Sequence, residues 1–190
     1  MFPYPFKIYQ EELPEDFCKH VIALGESLER EEAAVYKEGF SEFEKDSRNN
    51  SVSWLNNPDI IELLQIYTVK ANQECGWNFD INVYETPQLS TYEQGQFYDW
   101  HVDTGVEEDY DPVVRKLTIT INLNNSYDGG NFQIERWGSP KIKKRYITIK
   151  GMKKVGSILV FPSFLHHRVT PVLQGQKKSL TCWFRGPPFR

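Results

Sequence analysis

Leu117 to Asn124 reads LTITINLN, and the reading of this stretch decides the fold class. Leu117, Ile119, Ile121 and Leu123 fall on one side of an extended segment and Thr118, Thr120, Asn122 and Asn124 on the other, because successive strand side chains point to opposite faces. A helix would scatter the same residues around its axis. Outward from it, Asn124 to Gly130 (NNSYDGG) is a turn. Phe132–Glu135, Tyr146–Ile149, Val155–Phe161, Val169–Val172 and Lys178–Phe184 then read as further short strands. Upstream, Phe79, Ile81 and Val83 alternate, and Leu89–Tyr92 leads toward His101. Many short strands with turns between them, and no sustained helical pattern after Gly76, predict a double-stranded β-helix, the jelly roll of cupins.

Ahead of the sheet the periodicity is helical. Residues 1 to 13 read as an extended lead-in. Pro14-Glu15-Asp16 opens a helix carrying Phe17, Val21, Leu24 and Leu28, expected to run to about Ala33. Residues 35 to 53 are polar and loop-like, ending in a short strand at Val52 and Trp54. Asn57-Pro58 supplies a cap and a first-turn proline for a second helix, with Ile60, Ile61, Leu64 and Val69 inward and Gly76 ending it. The expected class is α+β, mainly β: one domain over residues 1–190, with helical support at 14–76 and a jelly-roll core at 77–185. There is no internal repeat and no linker.

Bulk properties narrow the partners. A net charge of −4 provides no basic field for non-specific nucleic-acid binding, so nucleic acid is unsupported as a partner. Cys18, Cys75 and Cys182 are odd in number and far apart, neither a disulfide framework nor a metal-spaced cluster. With no signal-peptide pattern and no apolar run of membrane-spanning length, the expectation is a soluble, cytoplasmic protein without a membrane partner.

The chemistry is concentrated in Tyr92 to Asp103, YEQGQFYDWHVD. Run as a strand, it projects His101 and Asp103 from one face. A third ligand is available downstream in FLHHRVTPVLQGQKKSL, residues 164–180. Two histidines and a carboxylate on one face, with open positions for oxygen and substrate, suit non-haem Fe(II). A zinc hydrolase could use the same three residue types. On the residues alone His166 and His167 both remain candidates.

The ordered blocks Tyr92-x-x-Gly95-x-x-Tyr98-x-Trp100-His101-x-Asp103, Arg115-x-Leu117-Thr118, Leu123-Asn124, Tyr127-x-Gly129-Gly130, Phe161-Pro162-Ser163 and His167-x-Val169-x-Pro171-Val172-x-x-Gly175-x-Lys177-x-Ser179-Leu180 resemble the 2-oxoglutarate and Fe(II)-dependent dioxygenases, in particular the prolyl 4-hydroxylase-like branch of small bacterial and phage hydroxylases. The resemblance spans roughly residues 48 to 185 and departs at Asn131, often acidic in relatives, and at 136–154, which is longer and more basic. It implies that His101, Asp103 and His167 ligate Fe(II), the spacing to Val169, Pro171 and Gly175 selecting His167. It further implies 2-oxoglutarate and O2 as cosubstrates, with ascorbate as an accessory reductant, and Lys177 as the cation for the distal carboxylate of 2-oxoglutarate. Such a buried carboxylate needs a charge partner. Tyr92, Ser179 and Asn122 are candidates for hydrogen bonds to the same molecule. Tyr98, Trp100, Arg115 and Trp183 are candidates for the substrate mouth.

The implied activity is hydroxylation of a C–H bond, with a prolyl residue of a peptide or protein as the leading substrate and succinate and CO2 as coproducts. The rivals are a non-catalytic cupin-type sensor of metal or 2-oxoglutarate, and a nucleobase demethylase, which would want an arginine pair and a basic groove. Thr104–Val114, with Glu107, Glu108, Asp109 and Asp111, is long enough to be a lid facing a neutral or basic chain. Lys141–Lys154 is basic, the usual mark of a solvated face.

Overall fold

The computed structural model describes residues 4–33, 35–37, 40–42, 47–104, 113–136 and 145–189. Most of the acidic loop (105–112) and the first part of the basic segment (137–144) therefore lie outside the described residues, and with them the expectation of a lid.

The strands form two main sheets. The larger contains, in spatial order, β1 (Lys7–Tyr9), β13 (Ile158–Pro162), β9 (Val114–Asn122), β16 (Lys177–Gly186), β7 (Gln88–Tyr92), β5 (Ser51–Trp54) and β2 (Glu31–Glu32), with β6 (Val83–Tyr84) also pairing β16. The smaller runs β12 (Tyr146–Thr148), β11 (Phe132–Glu135), β14 (His167–Val169), β8 (Tyr98–His101). Two further pairs are β10 (Tyr127–Gly129) with β15 (Val172–Gly175), and β3 (Val35–Lys37) with β4 (Phe40–Glu42). All pairings are antiparallel, and the arrangement is the expected jelly roll. β9 shows why: Leu117, Ile119 and Ile121 are fully buried beneath α1 (Glu15–Glu26) and α2 (Pro58–Glu74), while Thr118, Thr120 and Asn122 are equally buried on the face between the sheets. The polar side of LTITINLN becomes the floor of an internal cleft.

Both helices begin at their signals, and α2 also ends close to Gly76. Asn57 accepts a hydrogen bond from the Ile60 amide at 3.1 Å, satisfying an N–H that the first turn of α2 leaves without an intrahelical partner. The buried stripe of α2 is Ile60, Ile61, Leu64, Thr68 and Ala71. Val69, expected inward, is exposed: nine residues after Ile60 it stands half a turn around the helix. α1 stops at Glu26 rather than near Ala33, because the Ser27 hydroxyl and amide both turn back to the Leu24 carbonyl; Leu28 is left in solvent. Gly25 lets α1 approach the sheet closely, since a Cβ there would lie 2.3 Å from Leu89 Cδ2.

Three expected strands are corrected. Val169–Val172 is broken at Thr170-Pro171, with Val169 ending β14 in the smaller sheet and Val172 opening β15 in a separate pair. Phe79 to Val83 is mostly irregular, with only Val83–Tyr84 in the sheet. The side chain of Asn72 on α2 bonds both the amide (3.0 Å) and the carbonyl (2.9 Å) of Phe79, taking the groups a strand ladder would use. Nor is Tyr92 to Asp103 one strand. The chain leaves the larger sheet at Tyr92, turns through Glu93–Gln96 with Gly95 at φ +84°, and enters the smaller sheet at Tyr98. That left-handed φ suits glycine.

No described helix is long and apolar enough to cross a membrane. Replacing Asn57 with Ala is expected to cost about 1 kcal/mol of stability, read as a lower urea midpoint at unchanged slope; Asn57→Ser is expected to retain most of it.

Candidate metal centre

β8 and β14 are neighbours in the smaller sheet, and their register sets His101 directly opposite His167. Asp103 lies beyond the end of β8, so strand parity does not aim it. Its amide and that of Thr104 both donate to the Ser163 carbonyl, at 2.8 and 3.1 Å. Thr118 donates to Asp103 Oδ2 at 2.7 Å and lies 3.0 Å from the Ser163 hydroxyl. The result brings one ligand atom from each of His101, Asp103 and His167 within 4.8 Å of one another.

The proton positions follow from the partners. His101 Nδ1 lies 2.7 Å from the Asp99 carbonyl and His167 Nδ1 lies 2.8 Å from the Leu165 carbonyl. A carbonyl only accepts, so each imidazole carries a proton on Nδ1 and turns Nε2 inward. These Nε2 atoms stand 3.6 and 3.5 Å from the Asp103 oxygens, too far for good hydrogen bonds. Burial, with the neighbouring His167, pushes His101 down to about 3, so it is neutral at ordinary pH. Two imidazole Nε2 atoms and a carboxylate that converge without hydrogen-bonding one another fit a cation, and this donor set fits Fe(II). Adjacent His166 points elsewhere, bonding Glu135 Oε2 at 2.8 Å.

A cleft extends from this cluster between the sheets. Its floor is the inward row of β16: Trp183 opposite Thr118, Thr181 opposite Thr120 and Gln88, Ser179 opposite Asn122 and Ser90, Lys177 opposite Tyr92. Lys177 is only 2% exposed, and no carboxylate pairs with it among the described residues. Its ammonium donates to Asn122 Oδ1 at 3.1 Å and to the Tyr127 hydroxyl at 3.2 Å, leaving a third proton. Burial, with a smaller contribution from Lys153, pushes it down to about 7. Lys178 faces the other way and pairs with Glu26.

The candidate binding residues separate by position. Tyr92 and Ser179 line the cleft beside Lys177. Asn122 sits behind it with both ends of its amide engaged: Oδ1 accepts from Lys177 and Tyr127, and Nδ2 donates to the carbonyls of Asn124 and Lys154. Tyr98 stacks on His101 with centroids 3.4 Å apart, and Trp183 lines the cleft with a buried indole N–H that has no hydrogen-bond partner among the described residues. Arg115 lies over Trp183 at 4.1 Å and is held by Glu85. Trp100 faces away, packed with His166, Tyr146 and Arg168.

Sequence reasoning missed Tyr127, Thr118 and Ser163 as supports, although all three stand in the quoted motifs. It also missed Arg48, which is buried against the Tyr98 ring at 4.5 Å and lines the cleft. Nothing in its polar surroundings signals that placement.

The sequence model of the 2OG-Fe(II) oxygenase superfamily matches residues 87–185. A PKHD-type hydroxylase of Shewanella oneidensis is 30% identical over 103 residues, which cover 52% of this chain and 42% of that protein. The match thus spans less than half the length of that curated relative. Among solved structures, a Pseudomonas putida prolyl-4-hydroxylase superposes with TM-score 0.72 at 19% identity, covering 98% of this chain and 95% of that one. A Trichoplax adhaerens prolyl hydroxylase, in complex with a hypoxia inducible factor oxygen degradation domain peptide fragment, gives 0.73 at 17% identity, covering 96% and 84%. At these identities the likeness is one of fold.

His167→Ala is expected to abolish stoichiometric metal binding while His166→Ala retains it, as measured by metal analysis after dialysis; the reverse result would exchange their roles. Thr118→Val, which frees Asp103 Oδ2, is expected to weaken metal affinity about 10- to 100-fold.

Proposed function

The chain belongs to the 2OG-Fe(II) oxygenase superfamily, and we propose that it hydroxylates a C–H bond of a prolyl residue in a peptide or protein, converting 2-oxoglutarate and O2 to succinate and CO2 as the substrate gains one oxygen atom. The observation that carries this reading is the pairing, in one cleft, of a His-Asp-His cluster with a buried ammonium that has no carboxylate partner among the described residues. A zinc hydrolase would have no use for that ammonium.

Bound Fe(II) would supply the oxidising chemistry from O2 and 2-oxoglutarate. His101, His167 and Asp103 would hold the metal, with Thr118 keeping the carboxylate aimed. Lys177 would give its third proton to the distal carboxylate of 2-oxoglutarate, beside the Tyr92 and Ser179 hydroxyls. Phe132, Phe161 and Val169 present apolar surface to the same cleft and would limit water there. Tyr98 and Trp183 offer aromatic surface suited to an apolar ring such as that of proline. The peptide bound to the Trichoplax enzyme supports a polypeptide substrate over a nucleobase.

The test is succinate formation in the presence of Fe(II), O2 and 2-oxoglutarate, first alone and then with proline-containing peptides. A rise with peptide, accompanied by a mass gain of one oxygen, is expected; no turnover with or without peptide would favour a sensor. Lys177→Ala is expected to weaken 2-oxoglutarate binding by about 2–5 kcal/mol with metal content intact, while Lys178→Ala leaves it unchanged. Unchanged affinity in Lys177→Ala would remove that residue from the site.

A further inference from the structure

A second lysine adjoins the Lys177 pocket. Lys153, at the end of the 3-10 turn Lys150–Lys153, donates to the Gly129 carbonyl and lies 4.1 Å from the centre of the Tyr127 ring. Lys177 lies 5.0 Å from the centre of that same ring and bonds its hydroxyl. One phenol thus carries two ammonium groups, each attracted by its π-electrons and each repelling the other.

We propose that Lys153 is a positioning residue of the cosubstrate pocket: standing at the Tyr127 ring that it shares with Lys177, its charge opposes the charge on Lys177 and so tunes the affinity of the pocket for a dicarboxylate. This rests on the reading of Lys177 as the partner of 2-oxoglutarate's distal carboxylate.

The groups facing Lys177 leave little to oppose that effect. Across the sheet stands Tyr92, itself held protonated by burial; from β9 comes the neutral Asn122, and from β10 Tyr127, whose proton is likewise held by burial. Asp128, the nearby carboxylate, acts on Lys153 and accepts the Gly129 amide at 2.8 Å. Lys178 is turned to Glu26 on the opposite face. Burial is the larger cause and Lys153 the second by which Lys177 is pushed down to about 7. A bound carboxylate favours the ammonium, so binding above that pH must take up a proton, and affinity falls as pH rises.

The experiment is calorimetric titration of 2-oxoglutarate into the Mn(II)-loaded protein between pH 6 and 9, with 2-oxobutyrate, which lacks the distal carboxylate, as the control ligand. For the parent, affinity for 2-oxoglutarate relative to 2-oxobutyrate is expected to fall about tenfold per pH unit above 7. Lys153→Gln is expected to move the onset of that fall upward by roughly half a pH unit or more. Lys177→Arg is expected to flatten the profile, because a guanidinium stays charged throughout. A Lys153→Gln profile superimposable on the parent's would overturn the proposal while leaving the cosubstrate reading intact. If Lys177→Ala binds 2-oxoglutarate as well as the parent does, it is the cosubstrate reading that fails. Should Lys153→Gln not fold, titration of the parent's lysine 13Cε signals decides: no lysine titrating near pH 7 rules the proposal out.

Discussion

The site depends on the hydrogen bonding of one residue, Ser163. Its amide donates to the Lys116 carbonyl on β9, its carbonyl takes the amides of Asp103 and Thr104, and its hydroxyl meets Thr118. The segment that follows β8 is thereby hung from the larger sheet. Without this link the Asp103 carboxylate would have no reason to face two imidazoles on the other sheet, since it lies past the last strand pairing that could aim it. The same turn continues to Leu165, whose carbonyl orients His167. One short connection therefore sets two of the three ligand atoms, and the sheet register sets the third.

The far end of the cleft follows a different logic. An ammonium sealed between sheets with no counter-charge among the described residues is costly, and the fold reduces the cost only in part. Asn122 and Tyr127 give it two acceptors, and burial shifts it toward the neutral form. What remains is a donor facing a cavity, and that is also what recognition of a dicarboxylate requires. A local stability optimum would have placed a glutamate there. Departures from local consistency of this kind are expected at functional sites.

Much of this was legible in the chain. Alternation in LTITINLN determined a strand with one apolar and one polar face, because a period of two belongs to extended backbone. Asn57-Pro58 determined where α2 begins, because capping is satisfied within one turn. The resemblance of the motifs around His101, Asp103, His167 and Lys177 to 2-oxoglutarate and Fe(II)-dependent dioxygenases implied the chemistry. Tertiary structure alone decided the rest. Periodicity assigns faces only within an unbroken strand, and Tyr92 to Asp103 changes sheets at Gly95. The pairing of β14 with β8 and β11, remote in sequence, turned His167 inward and His166 out. Which polar side chains touch the cleft, as Arg48 does, and which stand behind it, as Asn122 does, depends on contacts between residues dozens of positions apart, and local pattern carries no information about these.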